Sequence, residues 1–401
     1  MDDSRITLPG RDLTWLTPER ARLYAGAALL AFAGTLAGLL AALRGGYDQS
    51  GLPFGMDFAS FWAASRLIWA GMANGAYSPA LHKLAEMVVV PATGYEAFFY
   101  PPPYLLICAP LAALPFFWSL AAFMGLTGAA YAAALRQAAG SVWMVVAALA
   151  YPAVLLNLIA GQNAMLTAAV IGGGLTLMDR RPKVAGLILG LMVIKPHLAL
   201  AVPFALVLSG RWAVLGFAAL SACAMTGLST AVFGWEVWPG FLIATESGRH
   251  VLEHGLVSFN RFQSAFAFAR MLGIGVDMAY GLQGMSAAGA LAALVWTRLR
   301  GPTPAVERSL IVVASLLMTP FLLDYDFVVL AFPLVWLLTE WSSRGFPPWG
   351  KLVLLAEYLL PITVMLFAPA HLCWFGVLGL LAWLLRTGRR PLAYVAARGI
   401  A

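Results

Sequence analysis

Apolar runs of helical length, set apart by short basic clusters, limit this chain to few folds. Leu23 to Leu43 contains no Asp, Glu, Lys or Arg and matches the ~20 residues that a helix needs to cross hydrocarbon. Comparable runs recur at roughly 102–135, 142–158, 164–178, 183–194, 198–208, 213–233, 277–298, 306–323, 326–340, 352–368 and 371–386. Backbone N–H and C=O groups inside lipid must find partners within their own segment, so runs of this kind become helices. With 61% apolar and 11% charged residues, a soluble globule is excluded. The expectation is an all-α, polytopic transmembrane helical bundle of about 11–13 membrane helices, with residues 1–401 forming one integral membrane domain. Arg5, Arg11, Arg20 and Arg22 precede the first run, which lacks a small-residue cleavage site and therefore reads as a retained helix. The 102–135 stretch exceeds one span and carries Pro110 and Pro115, so it reads as a kinked helix or as a re-entrant piece followed by a span.

Charge sets the orientation. With the N-terminus in the cytoplasm, only seven of the 25 Lys and Arg fall on the outer side: Arg44, Arg66, Lys83, Lys195, Arg249, Arg261 and Arg270. All five histidines share that side, which gathers titratable chemistry on one face. The net charge of +7 is spread between the runs instead of forming a basic, aromatic surface, so it reflects topology and argues against a nucleic-acid partner. Cys108, Cys223 and Cys373 lie within or beside apolar runs without ligand spacing, and neither a disulfide nor a metal site is expected of them.

Two outer segments, 44–101 and 234–276, are far longer than ordinary connections and too aromatic to be disordered. In the first, Phe58, Phe61, Trp62, Ser65 and Trp69 recur at helical spacing, which predicts an interfacial helix with Asp57 at its start. Asp57 suits a helix N-cap, and it equally suits a general base at the membrane edge, where acids are costly. Tyr100-Pro101-Pro102-Pro103 gives a rigid entry to the next run, and Tyr100 can face a sugar. Gln162 and Asn163, after Gly161, either cap a helix or bond sugar hydroxyls. Lys195-Pro196-His197 interrupts an apolar run, as a phosphate site or as a buried structural pair would. Glu246, Arg249 and His250 form one stripe, read as a solvated surface, whereas Arg261 among aromatics is the better ligand for an anion. Asp324 and Asp326 flank Tyr325 as a tight turn, a cation site or hydroxyl acceptors; two acids alone do not define a divalent site.

Met56-Asp57-Phe58 with Phe61-Trp62-Ala63-Ala64, then Tyr100-Pro101-Pro102-Pro103, Gly161-Gln162-Asn163, Lys195-Pro196-His197 and Asp324-Tyr325-Asp326, occur in that order across roughly residues 50–340. In this the chain resembles the membrane mannosyltransferases of glycosyltransferase family 87, with the GT-C architecture. The resemblance implies a polyprenyl-phosphate-linked sugar donor, a lipid or glycan acceptor, and Asp57 as catalytic base, with Lys195 nearest the donor phosphate. Arg66, His197 and Arg261 join Lys195 as phosphate ligands by position, and Gln162, Asn163, Asp324, Asp326 and Tyr100 as sugar or acceptor ligands. Phe58 stands where many GT-C proteins carry a second adjacent acid, which places metal dependence in doubt; no cofactor is expected. The implied reaction is an inverting hexosyl transfer, of mannose, at the periplasmic face of a bacterial inner membrane. The rival classes are a secondary transporter, against which no paired broken segments recur in two matching halves, and a non-catalytic binder of lipid carriers.

Overall fold

The computed structural model describes residues 13–91, 95–366 and 371–387. Arg5, Arg11, Arg389, Arg390 and the end of the 352–368 run lie outside the described residues. The described chain is helical throughout, with isolated β-bridges in place of strands. It opens with α1 (Pro18–Ala42), α2 (Phe58–Trp69), α3 (Pro79–Glu86), α4 (Pro103–Cys108), α5 (Phe116–Ala138) and α6 (Val142–Leu149). Next come α7 (Pro152–Ala160), α8 (Ala164–Leu177), α9 (Pro182–Gly190), α10 (Ala201–Leu208), α11 (Trp212–Phe233) and α12 (Val237–His254). The remainder is α13 (Ala265–Met271), α14 (Val276–Leu299), α15 (Pro304–Met318), α16 (Ala331–Arg344), α17 (Gly350–Leu366) and α18 (Leu372–Thr387).

Local chemistry sets many of these boundaries. Thr17 caps α1 by accepting the Arg20 N–H, Pro18 occupies the first turn, and Glu19 meets the positive helix end. Thr303 does the same for α15, accepting the Val306 N–H ahead of Pro304. Prolines also divide apolar runs. The 102–135 stretch is a short piece, α4 with a turn at Leu111–Ala113, followed after Pro115 by the long α5.

Five helical stretches are long and apolar enough to cross a membrane: α1, α5, α11, α14 and Asp324–Arg344. The pair α6 and α7, bent by 47° at Pro152, makes a sixth if counted as one span. The other expected spans fold into shorter apolar helices, such as Ala164–Leu177 and Leu372–Thr387. At 1.5 Å per residue these rise about 21–24 Å, less than a ~30 Å hydrocarbon core. Large apolar side chains stay exposed along α1, α11 and α14, including Leu30, Leu220 and Met285, as lipid-facing surfaces require. The protein is a multi-pass helical membrane bundle.

One continuous apolar cluster joins α5, α7, α8, α9, α15, α16 and α18. Close approach helps it: a Cβ on Gly186 or Gly190 would lie 2.4 and 2.3 Å from α11 backbone oxygens, so the backbones of α9 and α11 meet almost directly. A second cluster, built on Phe58, Phe61, Tyr104 and Phe123, encloses α2. Phe58 to Ser65 are all buried, so α2 is surrounded for most of its length instead of lying open on one face. At the far ends of α8 and α15, Arg211 bridges Asp179 (2.5 Å) and Glu307 (2.9 Å), and Arg308 also reaches Asp179 (2.5 Å).

Candidate functional site

At the other end of α8, residues remote in sequence converge. The turn before α2 docks on the C-terminus of α7: the Gly55 N–H donates to Ile159 O (3.2 Å) and the Asp57 N–H to Ala160 O (3.0 Å). Those carbonyls lack helical partners, so the turn satisfies them and is held by them. Gly161, at φ +74°, ends α7, and a Cβ there would lie 2.8 Å from Gly55 Cα. Asp57 occupies the N-cap position of α2, but at φ −64° and ψ −25° its backbone is already helical, and its carboxylate caps nothing. Instead Asp57 Oδ2 accepts from Gln162 Nε2 and from Arg261 Nη2, both at 3.3 Å.

Gln162 is the hub. Its Oε1 accepts from the Tyr100 hydroxyl (3.0 Å) and the Asn163 backbone N–H (3.1 Å). The capping expected of Gln162 and Asn163 falls to Asn157, whose Oδ1 accepts the Ala164 N–H at 2.8 Å. Asn163 Oδ1 therefore faces Lys195 Nζ (3.4 Å), which also donates to Asp326 Oδ1 at 2.6 Å. The Lys195 and Asp326 side chains are 4% and 0% exposed, and Lys195 Nζ lies 5.1 Å from the Tyr325 ring, so this charge is fully committed inside the protein. Lys195 reaches this depth because α9 gives way to turns at Leu191–Ile194 and Pro196–Ala199, leaving it at the break.

Arg261 is placed by strand-like pairing: Phe262 bridges Leu323, and the Gln263 N–H donates to Leu322 O at 2.7 Å. That sets Arg261 Nε 4.0 Å from Asp324 Oδ2 while its Nη2 meets Asp57. Its side chain is 39% exposed, far more open than Lys195. Burial works against its charge, but Asp57 and Asp324 more than offset that and hold the guanidinium above its ordinary value.

Asp57, Tyr100, Gln162, Asn163, Lys195, Arg261, Asp324 and Asp326 thus form one connected cluster. Two expected members make no hydrogen bond or ion pair with it among the described residues. Arg66 is exposed and stacks over Trp62 (5.0 Å), about 13 Å along α2 from Asp57 by helical rise. His197 is half-buried and makes no hydrogen bond to the cluster among the described residues. Arg249 pairs with Glu246 and Glu253 on the surface of α12. No group of three or more His, Cys, Asp or Glu among the described residues is arranged to hold a metal. A cavity of about 20 Å³ beside Thr297, Arg298 and Glu307 has room for a single water at most and is lined by none of these residues.

Glu96 was not singled out by any motif. Burial first, then the charge of Asp57, pushes its carboxyl up to about 8, with Arg261 opposing and Glu86 adding. The one signal available was an acid inside an aromatic segment, Tyr95-Glu96-Ala97-Phe98-Phe99-Tyr100.

Residues 98–323, more than half of the chain, match the model of glycosyltransferase family 87. The chain belongs to glycosyltransferase family 87. Tyr100, Gln162, Asn163, Lys195 and Arg261 lie within the matched stretch; Asp57 and Glu96 precede it, and Asp324 and Asp326 follow it directly. No curated protein and no solved structure matches the chain. The family makes this membrane protein a glycosyltransferase, acting with a sugar donor and an acceptor in a lipid setting.

Proposed function

We propose that this family 87 glycosyltransferase moves one hexose, mannose, from a polyprenyl phosphate to an acceptor hydroxyl at the periplasmic face of a bacterial inner membrane. The observation that carries the reading is the contact between a nearly buried carboxylate, Asp57, and a half-open guanidinium, Arg261. A base and an anion ligand stand side by side there. The choice of mannose and of a prenyl carrier rests on the family resemblance, and the outward orientation on the distribution of Lys and Arg.

Asp57 takes the acceptor's hydroxyl proton as that oxygen forms a bond to the anomeric carbon. The bond from that carbon to the phosphate oxygen breaks on the opposite face, and the prenyl phosphate leaves with the electron pair, so the configuration inverts. A glycosidase needs a second carboxylic acid to protonate its leaving group, whereas a phosphate leaves as a stabilised anion and calls for positive charge. Arg261 supplies that charge. When the donor arrives, the guanidinium turns from Asp57 to the phosphate and leaves the carboxylate open to the acceptor hydroxyl. Gln162, held by Tyr100, keeps Asp57 aimed. Lys195 and Asp326 neutralise each other and brace Asn163 beneath the sugar.

The test is transfer by purified protein from polyprenyl-phosphate-mannose, polyprenyl-phosphate-glucose and GDP-mannose in parallel. Mannosyl transfer from the lipid-linked donor, with inverted product by NMR, is expected. Transfer from the sugar nucleotide alone, or a retained configuration, overturns the reading.

A further inference from the structure

Of the histidines, His82 and His371 are buried and His197 is half-buried, which leaves His250 and His254 as the exposed pair. Both belong to α12, four residues apart, so the helix itself sets their side chains on one face, one turn after the other. The rings stack with centroids 3.9 Å apart and planes at 33°. His254 Nδ1 lies 3.0 Å from His250 O. A carbonyl oxygen only accepts, so the proton of the neutral ring is on Nδ1, and Nε2 keeps its lone pair. Metal-bound histidines are fixed in this way, the far nitrogen donating to a carbonyl or carboxylate while the near one faces the ion. The His250 ring makes no hydrogen bond or ion pair among the described residues, so its nitrogens are open as well.

The surroundings suit a cation. Glu246, one turn before His250, and Glu253, beside His254, share a single counter-charge, Arg249, which pairs with both. Two acids against one guanidinium leave this stretch of helix negative. His254 also stands in the last turn of α12, where the carbonyl end of a helix favours positive charge. Both rings face outward, so packing in the core does not account for the pair.

We propose that His250 and His254 bind one divalent transition-metal ion of the zinc, nickel or copper class, each through one ring nitrogen, with water completing the coordination. Imidazole suits ions of this class, whereas magnesium and calcium take oxygen ligands. Two nitrogens each about 2.0–2.1 Å from a tetrahedral ion are about 3.3 Å apart, a spacing that rings with centroids 3.9 Å apart reach by turning about their own side-chain bonds. No third His, Cys, Asp or Glu among the described residues is arranged to join them, so the site holds half the ligands of a structural zinc site and its ion exchanges. The bound ion ties the last turn of α12 to the turn before it. From there the chain reverses at Gly255, φ +65°, and runs on to Arg261, so the clip lies at the root of the segment that carries the half-open guanidinium. The inference does not depend on which sugar donor the protein uses.

The experiment titrates zinc chloride into full-length protein that carries no oligohistidine tag and has been stripped of metal, in detergent, by calorimetry, with magnesium chloride as the control. One zinc per chain should bind with a dissociation constant on the order of 1–100 μM, about half the binding free energy of a four-ligand zinc site. Copper(II) should bind more tightly than zinc, and magnesium should give no heat of binding. His250→Ala and His254→Ala should each weaken zinc at least about tenfold, since even an outer partner of a metal ligand is worth about 10–100-fold. Both side chains are exposed, so these variants should keep the wild-type unfolding curve. Hydrogen exchange should show zinc slowing the amides at the end of α12 in wild type and in neither variant. Wild-type zinc affinity in either alanine variant, protection that appears only elsewhere in the chain, or magnesium binding as tightly as zinc overturns the site.

Discussion

Lys195 and Asp326 form a buried pair whose removal can be followed one partner at a time. Their 2.6 Å contact lies where the side chains are 4% and 0% exposed, and among the described residues the only other donor to Asp326 is the Leu323 N–H at 3.2 Å. Lys195→Ala leaves a carboxylate with one backbone hydrogen bond and no route to water. Breaking a buried pair in this way costs about 3–5 kcal/mol, because the surviving charge stays desolvated. Asp326→Leu strands the ammonium with Asn163 Oδ1 and the Tyr325 ring and should cost about as much. The pair Lys195→Met with Asp326→Leu removes both charges and fills their volume. It forfeits the Leu323 and Asn163 hydrogen bonds, about 1 kcal/mol each. The double variant should therefore unfold within about 2 kcal/mol of wild type, giving a coupling energy of several kcal/mol. Denaturant unfolding in mixed micelles, followed by tryptophan fluorescence, measures the cycle. Single variants that each cost under about 1 kcal/mol, or costs that simply add, would refute the view that this pair is internally satisfied. The same double variant tests the choice of cation: its affinity for prenyl phosphate should survive, and a loss as large as that from removing Arg261 would move Lys195 onto the phosphate.

Arg261→Gln should weaken undecaprenyl phosphate binding by roughly 10- to 150-fold, the worth of about 1.5–3 kcal/mol for a charged hydrogen bond, with Arg261→Lys recovering part of it in the same binding assay. Gly161→Ala places a side chain at φ +74° and within 2.8 Å of Gly55 Cα, so it should cost more than the ~1–2 kcal/mol of the backbone alone and lower turnover by shifting the Asp57 turn. An unfolding curve that overlays wild type would show that the turn does not depend on this approach. Tyr100→Phe removes the hydroxyl held at 3.0 Å by Gln162 and should cost about 1 kcal/mol with a measurable fall in kcat, whereas an unchanged kcat would detach Gln162 from the aim of Asp57.

Local pattern made much of the bundle legible, and its failures have physical reasons. Apolar length announces helices, but a hydropathy run cannot show where a helix breaks inside it. The breaks at Pro115 and around Lys195 are marked in the sequence by a proline and by a charge, whereas the one at Pro152 divides the expected 142–158 run into two helices. The cluster was readable as separate polar intrusions into apolar sequence, because polar groups at such places need partners wherever the chain supplies them. Which partner each finds is a matter of tertiary packing. Nothing local joins Lys195 to Asp326, 131 residues away, or Arg261 to Asp57, 204 residues away. Arg66 shares a helix with Asp57, but helical spacing is silent about which end of that helix meets the rest. Glu96 carries no motif, and its place follows only from the route of the 95–100 segment past Gln162.

The most direct measurement is made on Asp57→Asn in purified full-length protein, comparing turnover of polyprenyl-phosphate-mannose with equilibrium binding of the same donor. The side chain keeps its shape and loses its basicity. A fall in kcat of about 10²–10⁴-fold, with donor affinity equal to or better than wild type, is the predicted result, since Arg261 would then be free for the phosphate. Wild-type turnover by the Asn variant would contradict a base at Asp57, and with it the account of how this site transfers a sugar.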